Sequence, residues 1–299
     1  MLVVGPTASG KSDLSLDLAA RLDGEVVNTD AMQLYRGMDI GTAKLAADER
    51  RGLPHHLLDV LEVHEPASVA EFQGWAREAI ADIRGRGRTP VLVGGSALYN
   101  RAVVDRFVFP GTDPRLRAEV EAEVERDGLP AAYARLAELD PAAAAGIEPG
   151  NSRRVVRALE VIALTGQPFS ATLPRAEYAL DSVVQIGIEI GRDVVDARIS
   201  RRVDRMWEAG LLDEVRALLD RGLRESRTAS AAIGYRQAVE QLDGRLTEHQ
   251  ARADTATATR RFVRRQLAWW RRDPRISWLP AGDPGLAAAA ESLVVGGRS

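Results

Sequence analysis

The sequence predicts an α/β protein built on a doubly wound parallel sheet, with a helical insertion domain between core elements. Apolar runs and helical segments alternate from the first residue: "MLVV", a glycine-rich octet, "KSDLSLDLAARL" and "EVVNTD". The run "TPVLVGG" is apolar almost throughout, which is typical of a parallel strand buried on both faces. From about Asp113 to Ala145 the chain becomes rich in alanine and charged residues, which predicts inserted helices.

The remaining elements follow from their end signals. Ser68, with Glu71 three residues later, predicts the start of the helix that precedes "TPVLVGG". The helical insertion is divided by Pro114, Pro130 and Pro141. Because no further composition change occurs, we place the core at residues 1–112 and 146–299 and the insertion at residues 113–145.

The second half of the chain is predicted to hold one more core strand among long helices. Asn151 and Gly166 are the expected cap and stop of the helix "SRRVVRALEVIALTG", and "VVQIGIEI" then returns to the sheet. An apolar stripe predicts the next helix, through Val195, Ile199, Val203 and Met206. The segment "TATATRRFVRRQLAWWRR" predicts a helix ahead of the last apolar segment, "ISWL".

Composition excludes several functional classes. The 299 residues contain no cysteine, which excludes disulfides, thiolate zinc sites and a thiol nucleophile. No run approaches the ~20 apolar residues of a membrane span, and the chain does not open with a basic, cleavable leader. The sequence therefore predicts a cytoplasmic protein without membrane contact. The net charge of −3 neither requires nor excludes a nucleic-acid partner.

The octet "GPTASGKS", Gly5–Ser12, has the spacing of a loop that cradles phosphate groups. Gly5 and Gly10 allow the backbone to turn its N–H groups inward, Lys11 reaches the outer phosphates, and Ser12 is the expected Mg²⁺ ligand. Its place between a strand and a helix predicts a P-loop-type fold that binds a phosphorylated ligand with Mg²⁺. The octet alone does not specify that ligand.

Kinases and nucleotide hydrolases with such a loop use a carboxylate at a strand end to hold the metal ion. The strand that ends "VLVGG" is followed by no carboxylate until Asp105. Asp30 is the carboxylate at a strand end near the loop, and two roles are open for it. It accepts a proton from a nucleophile, or it caps a turn or helix.

Two basic clusters indicate either nucleic-acid contact or solvated arginines paired with acids. The segment from Arg260 to Arg272 holds six arginines, two tryptophans and no acid, which favours nucleic-acid contact. In "NSRRVVRALE", Arg153 and Arg157 share one helical face with Arg154 beside them, and both interpretations stay open.

Together these motifs resemble the bacterial tRNA dimethylallyltransferases, of the tRNA isopentenyltransferase family, which prenylate N6 of the adenine next to the anticodon. The resemblance covers nearly the whole chain. It rests on the colinear segments "GPTASGKS", "TDAMQLYRGMDIGTAK", "PHHLLDV", "NSRRVVRALEVIALTGQPFS", "AIGYRQ" and "RRQLAWWRRDPRISWL".

The resemblance implies a loop that holds the diphosphate of dimethylallyl diphosphate and a transferase that hydrolyses no ATP. It implies Asp30 as the general base on the adenine N6, Thr7 at the bridging oxygen of the breaking bond, and Arg198 on the diphosphate. The implied diphosphate site comprises Gly5, Pro6, Thr7, Ala8, Ser9, Gly10, Lys11 and Ser12, with Ser12 as the Mg²⁺ ligand.

The target adenine must be turned out of its stack to react, so extensive tRNA contacts are expected. The positions at which the family touches tRNA correspond to Asp30, Ala31, Met32, Gln33, Ser96, Arg117, Arg153, Arg154, Arg157, Tyr235, Arg236, Arg264, Arg265, Gln266 and Arg271. The insertion is expected to grip the anticodon stem. The chain departs from the family at Ala31, commonly serine, at Ser96, commonly threonine, at Ala97, commonly glycine, and at Leu45, commonly proline.

Three alternatives remain from other classes. An adenylate prenyltransferase that acts on a free nucleotide has no need of the arginine cluster or the insertion. A P-loop kinase is disfavoured by the strand that ends "VGG". A non-catalytic RNA-binding protein is disfavoured because Thr7, Lys11, Ser12 and Asp30 occur together. We therefore expect a monomer that acts on tRNA and dimethylallyl diphosphate.

Overall fold

The computed structural model describes residues 1–172 and 176–296, which contain six strands and twelve α-helices. The strands are β1 (Leu2–Val4), β2 (Gly24–Asn28), β3 (His55–His56), β4 (Thr89–Val93), β5 (Gln185–Glu189) and β6 (Ile276–Pro280). The helices are α1 (Lys11–Arg21), α2 (Val69–Gly85), α3 (Ala97–Val104), α4 (Pro114–Asp127), α5 (Leu129–Leu139), α6 (Pro141–Ala145), α7 (Ser152–Thr165), α8 (Arg192–Glu208), α9 (Leu211–Leu219), α10 (Tyr235–Leu242), α11 (Glu248–Trp270) and α12 (Leu286–Gly296).

The six strands form one parallel sheet in the order β3-β2-β4-β1-β5-β6, which confirms the predicted α/β core. The strands β1 and β2 are buried along their whole length, as expected for a parallel sheet covered on both faces. On one face of the sheet, α1 packs Leu14 and Leu18 in a cluster with Val3, Val26 and Ile186. The apolar runs of the sequence are therefore the centre of this core.

Strand register brings three predicted site segments to one level. Val93 of β4 pairs with Val3 of β1 on one side and with Asn28 of β2 on the other. Parallel strands end at the same edge of a sheet, where α/β proteins bind their ligands. The residues two positions beyond these partners are Gly5, Asp30 and Gly95, so the segments that follow β1, β2 and β4 start side by side.

The helix end signals also hold. Ser68 Oγ accepts a hydrogen bond from the N–H of Glu71 at the start of α2. Asn151 caps α7 through the N–H of Arg154, and Gly166 ends it with φ +65°. The three prolines of the predicted insertion each lie in the first turn of a helix: α4, α5 and α6.

The chain divides into two compact units, and the second is larger than the predicted insertion at residues 113–145. The first unit holds residues 1–104 and those from 180 onward, and the second lies between 105 and 179. In the second unit, α7 packs against α4 and α5: Val155 and Leu159 share a cluster with Val120 and Leu136. The sequence placed α7 with the core because its cap and stop signals give its ends but not the elements against which it packs.

Among the described residues, none of the helices combines the length and the apolar character that a bilayer span requires.

Candidate active site and nucleic-acid interface

The loop Gly5–Ser12 connects β1 to α1 and has the path that its glycines predict. Gly5 has φ +152°, and a Cβ there would lie 3.0 Å from Ser9 Oγ and 3.4 Å from Ile188 Cβ. Gly10 has φ +97° and precedes the first turn of α1. Ala8 has φ +66°, a conformation that costs a non-glycine residue about 1–3 kcal/mol and recurs at functional loops. The loop is therefore held in a strained path that exposes the start of α1.

Three side chains hold the backbone of this loop. Lys11 Nζ donates to the carbonyl of Pro6 at 2.8 Å, and Arg198 of α8 donates to the carbonyl of Ala8 at 3.2 Å. Gln266 of α11 accepts the N–H of Thr7 through Oε1 at 3.2 Å. Arg198 thus lies at the loop, as the sequence resemblance implies. The loop is braced from its own helix and from two distant ones.

The electrostatics of the loop suit an anion. Desolvation lowers the pKa of Lys11 to about 8, while Asp30 raises it and Arg202 lowers it. The N–H groups of the first turn of α1 have no carbonyl acceptor within the helix and carry the positive end of its dipole. A diphosphate here would stabilise the charged form of Lys11 and accept hydrogen bonds from those N–H groups.

Asp30 follows β2 and performs the capping role that the sequence left open. Its Oδ1 accepts the N–H of Met32 at 3.0 Å, at the start of a 3₁₀ helix over Ala31–Leu34. Asn28 fixes the same residue on both sides: its Oδ1 accepts the N–H of Asp30 at 2.9 Å and its Nδ2 donates to the carbonyl of Asp30 at 3.0 Å. The carboxylate is partly exposed, so capping leaves an oxygen that can take a proton. Both roles are compatible.

A magnesium site made by protein side chains alone is absent from the described residues, which hold no group of three or more His, Asp or Glu side chains suited to a metal ion. Mg²⁺ in phosphate-transfer sites commonly uses few protein ligands together with phosphate oxygens and water. Ser12, partly exposed in the first turn of α1, fits that pattern. Ser9 Oγ is buried with no hydrogen-bond partner among the described residues, which also fits a phosphate oxygen at this loop.

The arginine-rich end of α11 presents a largely exposed cationic surface, which we call the α11 surface: Arg261, Arg264, Arg265, Trp269, Arg271 and Arg272. Trp269 is 52% exposed whereas Trp270 is 2% exposed, so the helix separates the two tryptophans into a surface and a core residue. Arg260 instead donates to Ser200 Oγ at 2.7 Å, and Arg271 is paired with Glu189 at 3.2 Å. The segment contains no acid, but Ser200 and Glu189 from distant elements bind two of its arginines.

Two residues predicted to touch tRNA, Tyr235 and Gln266, have buried side chains that bond to other parts of the protein. Tyr235 is fully buried and donates its hydroxyl to Glu214 at 2.5 Å. Gln266 is 4% exposed and is engaged by the loop and by the carbonyl of Gly95 at 2.8 Å. Arg236, next to Tyr235, is exposed. The motif "AIGYRQ" therefore offers an arginine to solvent and a tyrosine to the core.

The other predicted contacts of the first unit remain accessible. Ala31, Met32 and Gln33 form the partly exposed 3₁₀ helix after Asp30, and Gln33 Nε2 donates to the carbonyl of Thr42 at 3.2 Å. Ser96 is partly exposed at the start of α3. These residues lie beyond the ends of β2 and β4, next to the phosphate loop by the strand register.

In the second unit, Glu160 organises two of the four predicted arginines. Its carboxylate is fully buried, 3.1 Å from Arg157 and 3.7 Å from Arg117. Arg157 also donates to the carbonyls of Pro110 at 2.7 Å and Gly111 at 3.2 Å. Its guanidinium is therefore held by Glu160 and by two backbone carbonyls. The other two arginines, Arg153 and Arg154, are exposed. Pairing with an acid therefore holds for Arg157, and nucleic-acid contact stays a prediction for Arg153 and Arg154.

Sequence reasoning missed the supporting residues Asn28 and Glu214 and the role of Gln266. Glu214 accepts hydrogen bonds from the backbone of Ile40 at 2.8 Å and from Tyr235, which holds the loop after the 3₁₀ helix against α9 and α10. No local pattern marks a glutamate or an asparagine for such a long-range contact. Only the position of Asn28 two residues before Asp30 signalled a local backbone bond.

Comparison with known proteins agrees with this geometry. The family model for IPP transferases matches residues 33–273. A tRNA dimethylallyltransferase of Nocardioides sp. is 60% identical over 292 residues, covering 98% of this chain and 94% of the relative. One of Salinispora tropica is also 60% identical over 292 residues, covering 98% of this chain and 91% of the relative.

Solved structures are similar as well. The tRNA isopentenylpyrophosphate transferase of Bacillus halodurans is 42% identical with a TM-score of 0.73, covering 99% of this chain and 95% of that one. A eukaryotic dimethylallyltransferase seen acting on tRNA is 27% identical with a TM-score of 0.83, covering 98% of this chain and 77% of that one. The family model matches most of the chain, and the relatives are similar over almost its full length. The chain therefore belongs to the IPP transferase family.

Proposed function

We propose that this protein transfers the dimethylallyl group from dimethylallyl diphosphate to N6 of the adenine on the 3′ side of the anticodon of tRNA, with release of diphosphate. The observation that carries the proposal is the juxtaposition of a braced phosphate loop and Asp30 at one edge of the sheet. The names of the relatives, tRNA dimethylallyltransferases, support the same reaction.

On the donor side, the first turn of α1 and Lys11 hold the diphosphate, and Arg198 adds a second cation. As the bond between carbon and the bridging oxygen breaks, negative charge grows on the diphosphate and positive charge on the allylic carbon. Fixed N–H groups and cations stabilise the negative charge on the leaving diphosphate. Thr7 lies at the turn of the loop, and we assign its hydroxyl to the bridging oxygen of the donor. Ser12 would hold Mg²⁺, which would supply further neutralisation of the diphosphate.

On the acceptor side, Asp30 receives the proton that the adenine amine loses while the bond between nitrogen and carbon forms. Its carboxylate is oriented by the capping bond to Met32 and by the two backbone bonds to Asn28. A base with fixed direction is effective because proton transfer requires heavy atoms about 2.6–3.2 Å apart. The chain therefore supplies separate groups for the leaving diphosphate and for the proton.

The RNA is held by charge and by stacking. The α11 surface offers arginines and the exposed ring of Trp269, and Arg236 adds a further cation. Arginine and aromatic side chains together bind the backbone and the splayed bases of single-stranded loops. The proposed contacts to the anticodon stem are four arginines of the second unit. Arg153 and Arg154 are exposed, and Glu160 orients Arg117 and Arg157. One chain carries all these groups, so the proposal requires only a monomer.

The test is transfer of a labelled dimethylallyl group to an anticodon stem-loop, with a stem-loop lacking the target adenine as control. We expect the label on N6 of the target adenine, no label on free AMP, and competition by inorganic diphosphate but not by ATP at equal concentration. Prenylation of AMP in place of RNA would assign the protein to the adenylate prenyltransferases. Preferential binding of ATP with no transfer of the allyl group would refute the proposal.

A further inference from the structure

The side chain of Gln266 joins the two loops that start side by side at the edge of the sheet. Its Oε1 accepts the N–H of Thr7 in the phosphate loop at 3.2 Å. Its Nε2 donates to the carbonyl of Gly95, just beyond β4, at 2.8 Å. The contact spans 259 residues of sequence on one side and 171 on the other. One amide therefore connects β1, β4 and α11.

The orientation of this amide follows from its partners. An N–H requires an acceptor and a carbonyl requires a donor, so the reverse orientation of the Gln266 amide would leave both contacts repulsive. The space around the Gln266 amide is also limited, because a Cβ at Gly95 would lie 2.3 Å from Nε2. Gln266 is 4% exposed although the two arginines that precede it, Arg264 and Arg265, face solvent. A long amide and a glycine thus fill one buried space together.

We propose that Gln266 is a positioning residue for the transfer reaction, which sets the peptide of Thr7 and thereby the place where the loop holds the bond that breaks. The inference rests on the proposed function and extends it to a residue whose predicted role was contact with RNA. The bond from Gln266 occupies the N–H of Thr7, so the diphosphate receives its N–H groups from the start of α1. It also fixes the Pro6–Thr7 peptide one residue before Ala8, whose φ of +66° is unfavourable without support from neighbouring contacts.

This arrangement predicts separate effects on binding and on chemistry. Loss of the Gln266 bonds leaves Lys11, Arg198 and the first turn of α1 in place, so the donor still binds. The bridging oxygen and Thr7 lose their alignment, and misplacement by about 1 Å lowers the rate about 100-fold. A residue that contacted RNA would instead weaken RNA binding and leave the rate at saturating RNA unchanged.

The experiment compares two variants that disturb the contact from opposite sides, Gln266→Met and Gly95→Ala, and their combination. Single-turnover transfer is measured at saturating donor and stem-loop, with the dissociation constants of inorganic diphosphate and stem-loop and the thermal midpoint alongside. We expect each single variant to lose between about 10- and 100-fold in rate, with both dissociation constants within about threefold of wild type. The double variant should lose much less than the product of the two, because both disrupt one contact.

Gln241→Met is the matched control, because Gln241 accepts a bond from the Trp207 indole N–H at 2.8 Å on the same unit, and neither residue belongs to the proposed site. It should lower the thermal midpoint and leave the single-turnover rate unchanged. A Gln266→Met protein that reacts at the wild-type rate, or that loses affinity for stem-loop alone, overturns the proposal. Wild-type protein that binds diphosphate but transfers nothing to RNA refutes the proposed function instead, so the two failures are distinguishable.

Discussion

Lys11 makes donor binding depend on pH in the alkaline range. Its ammonium is desolvated in the phosphate loop, and its pKa is lowered from 10.5 to about 8. Only the charged form binds a diphosphate well. With that pKa, about 90% of the free protein carries charged Lys11 at pH 7 and about 10% at pH 9. The affinity for donor must therefore fall as the pH rises through 8.

The size of the effect follows from linkage between proton and ligand binding. If diphosphate binds the charged form alone, the apparent dissociation constant rises about tenfold between pH 7 and pH 9, or about 1.4 kcal/mol. The donor itself is ionised across this range, since the second ionisation of a phosphate ester lies near pH ~6. Binding at pH 8 should also take up about half a proton, because the bound diphosphate raises the pKa of Lys11.

Calorimetry with dimethylallyl diphosphate in the absence of RNA, in buffers of different ionisation enthalpy, measures both quantities on the same samples. Lys11→Arg is the control, because the guanidinium stays charged throughout the range and its affinity should not change near pH 8. Lys11→Met should bind weakly at every pH. A wild-type affinity that is constant between pH 7 and pH 9, or proton release on binding, would refute this account of the loop.

Other predictions concern residues around the loop and in the interface. Asn28→Ala should lower the single-turnover rate about tenfold with stem-loop affinity unchanged, because it frees both backbone groups of Asp30; an unaltered rate would show that these bonds do not orient the carboxylate. Arg264→Gln and Arg265→Gln should each reduce the slope of log affinity against log salt by about 0.7–0.9 without changing the rate at saturating RNA, and a slope equal to that of wild type would place both side chains outside the interface. Lys44 is 2% exposed in its side chain and bridges two aspartates at 2.6 Å, so Lys44→Met should lower the free energy of unfolding by about 2 kcal/mol in urea titration; no loss would mean that the bridge contributes nothing.

The sequence predicted the features that depend on local pattern. The glycines of the octet required positive φ, the apolar runs could pair only as a buried parallel sheet, and Ser68 and Asn151 marked helix starts. Register then placed Gly5 and Asp30 together, and the sequence indicated this because each follows a core strand.

Long-range side-chain contacts were not predictable in the same way. Gln266 lies in an arginine-rich segment, and nothing in the neighbouring residues indicates that its amide reaches Thr7. Tyr235 belongs to a motif that the family resemblance linked to RNA, yet Glu214 and burial hold it in the core. The packing of α7 in the second unit likewise depends on the partner of an apolar stripe, which periodicity does not identify.

The central claim is that Asp30 takes the proton from the adenine amine while the phosphate loop holds the leaving group. The most direct test is single-turnover transfer to an anticodon stem-loop by wild type, Asp30→Asn and Asp220→Asn, with diphosphate and stem-loop affinities measured for each. Asp220 is exposed at the end of α9 and serves as the control. We predict a loss of about 10²–10⁴ in the rate for Asp30→Asn alone, with both affinities retained. A rate for Asp30→Asn within a few-fold of wild type would contradict the assignment of the base.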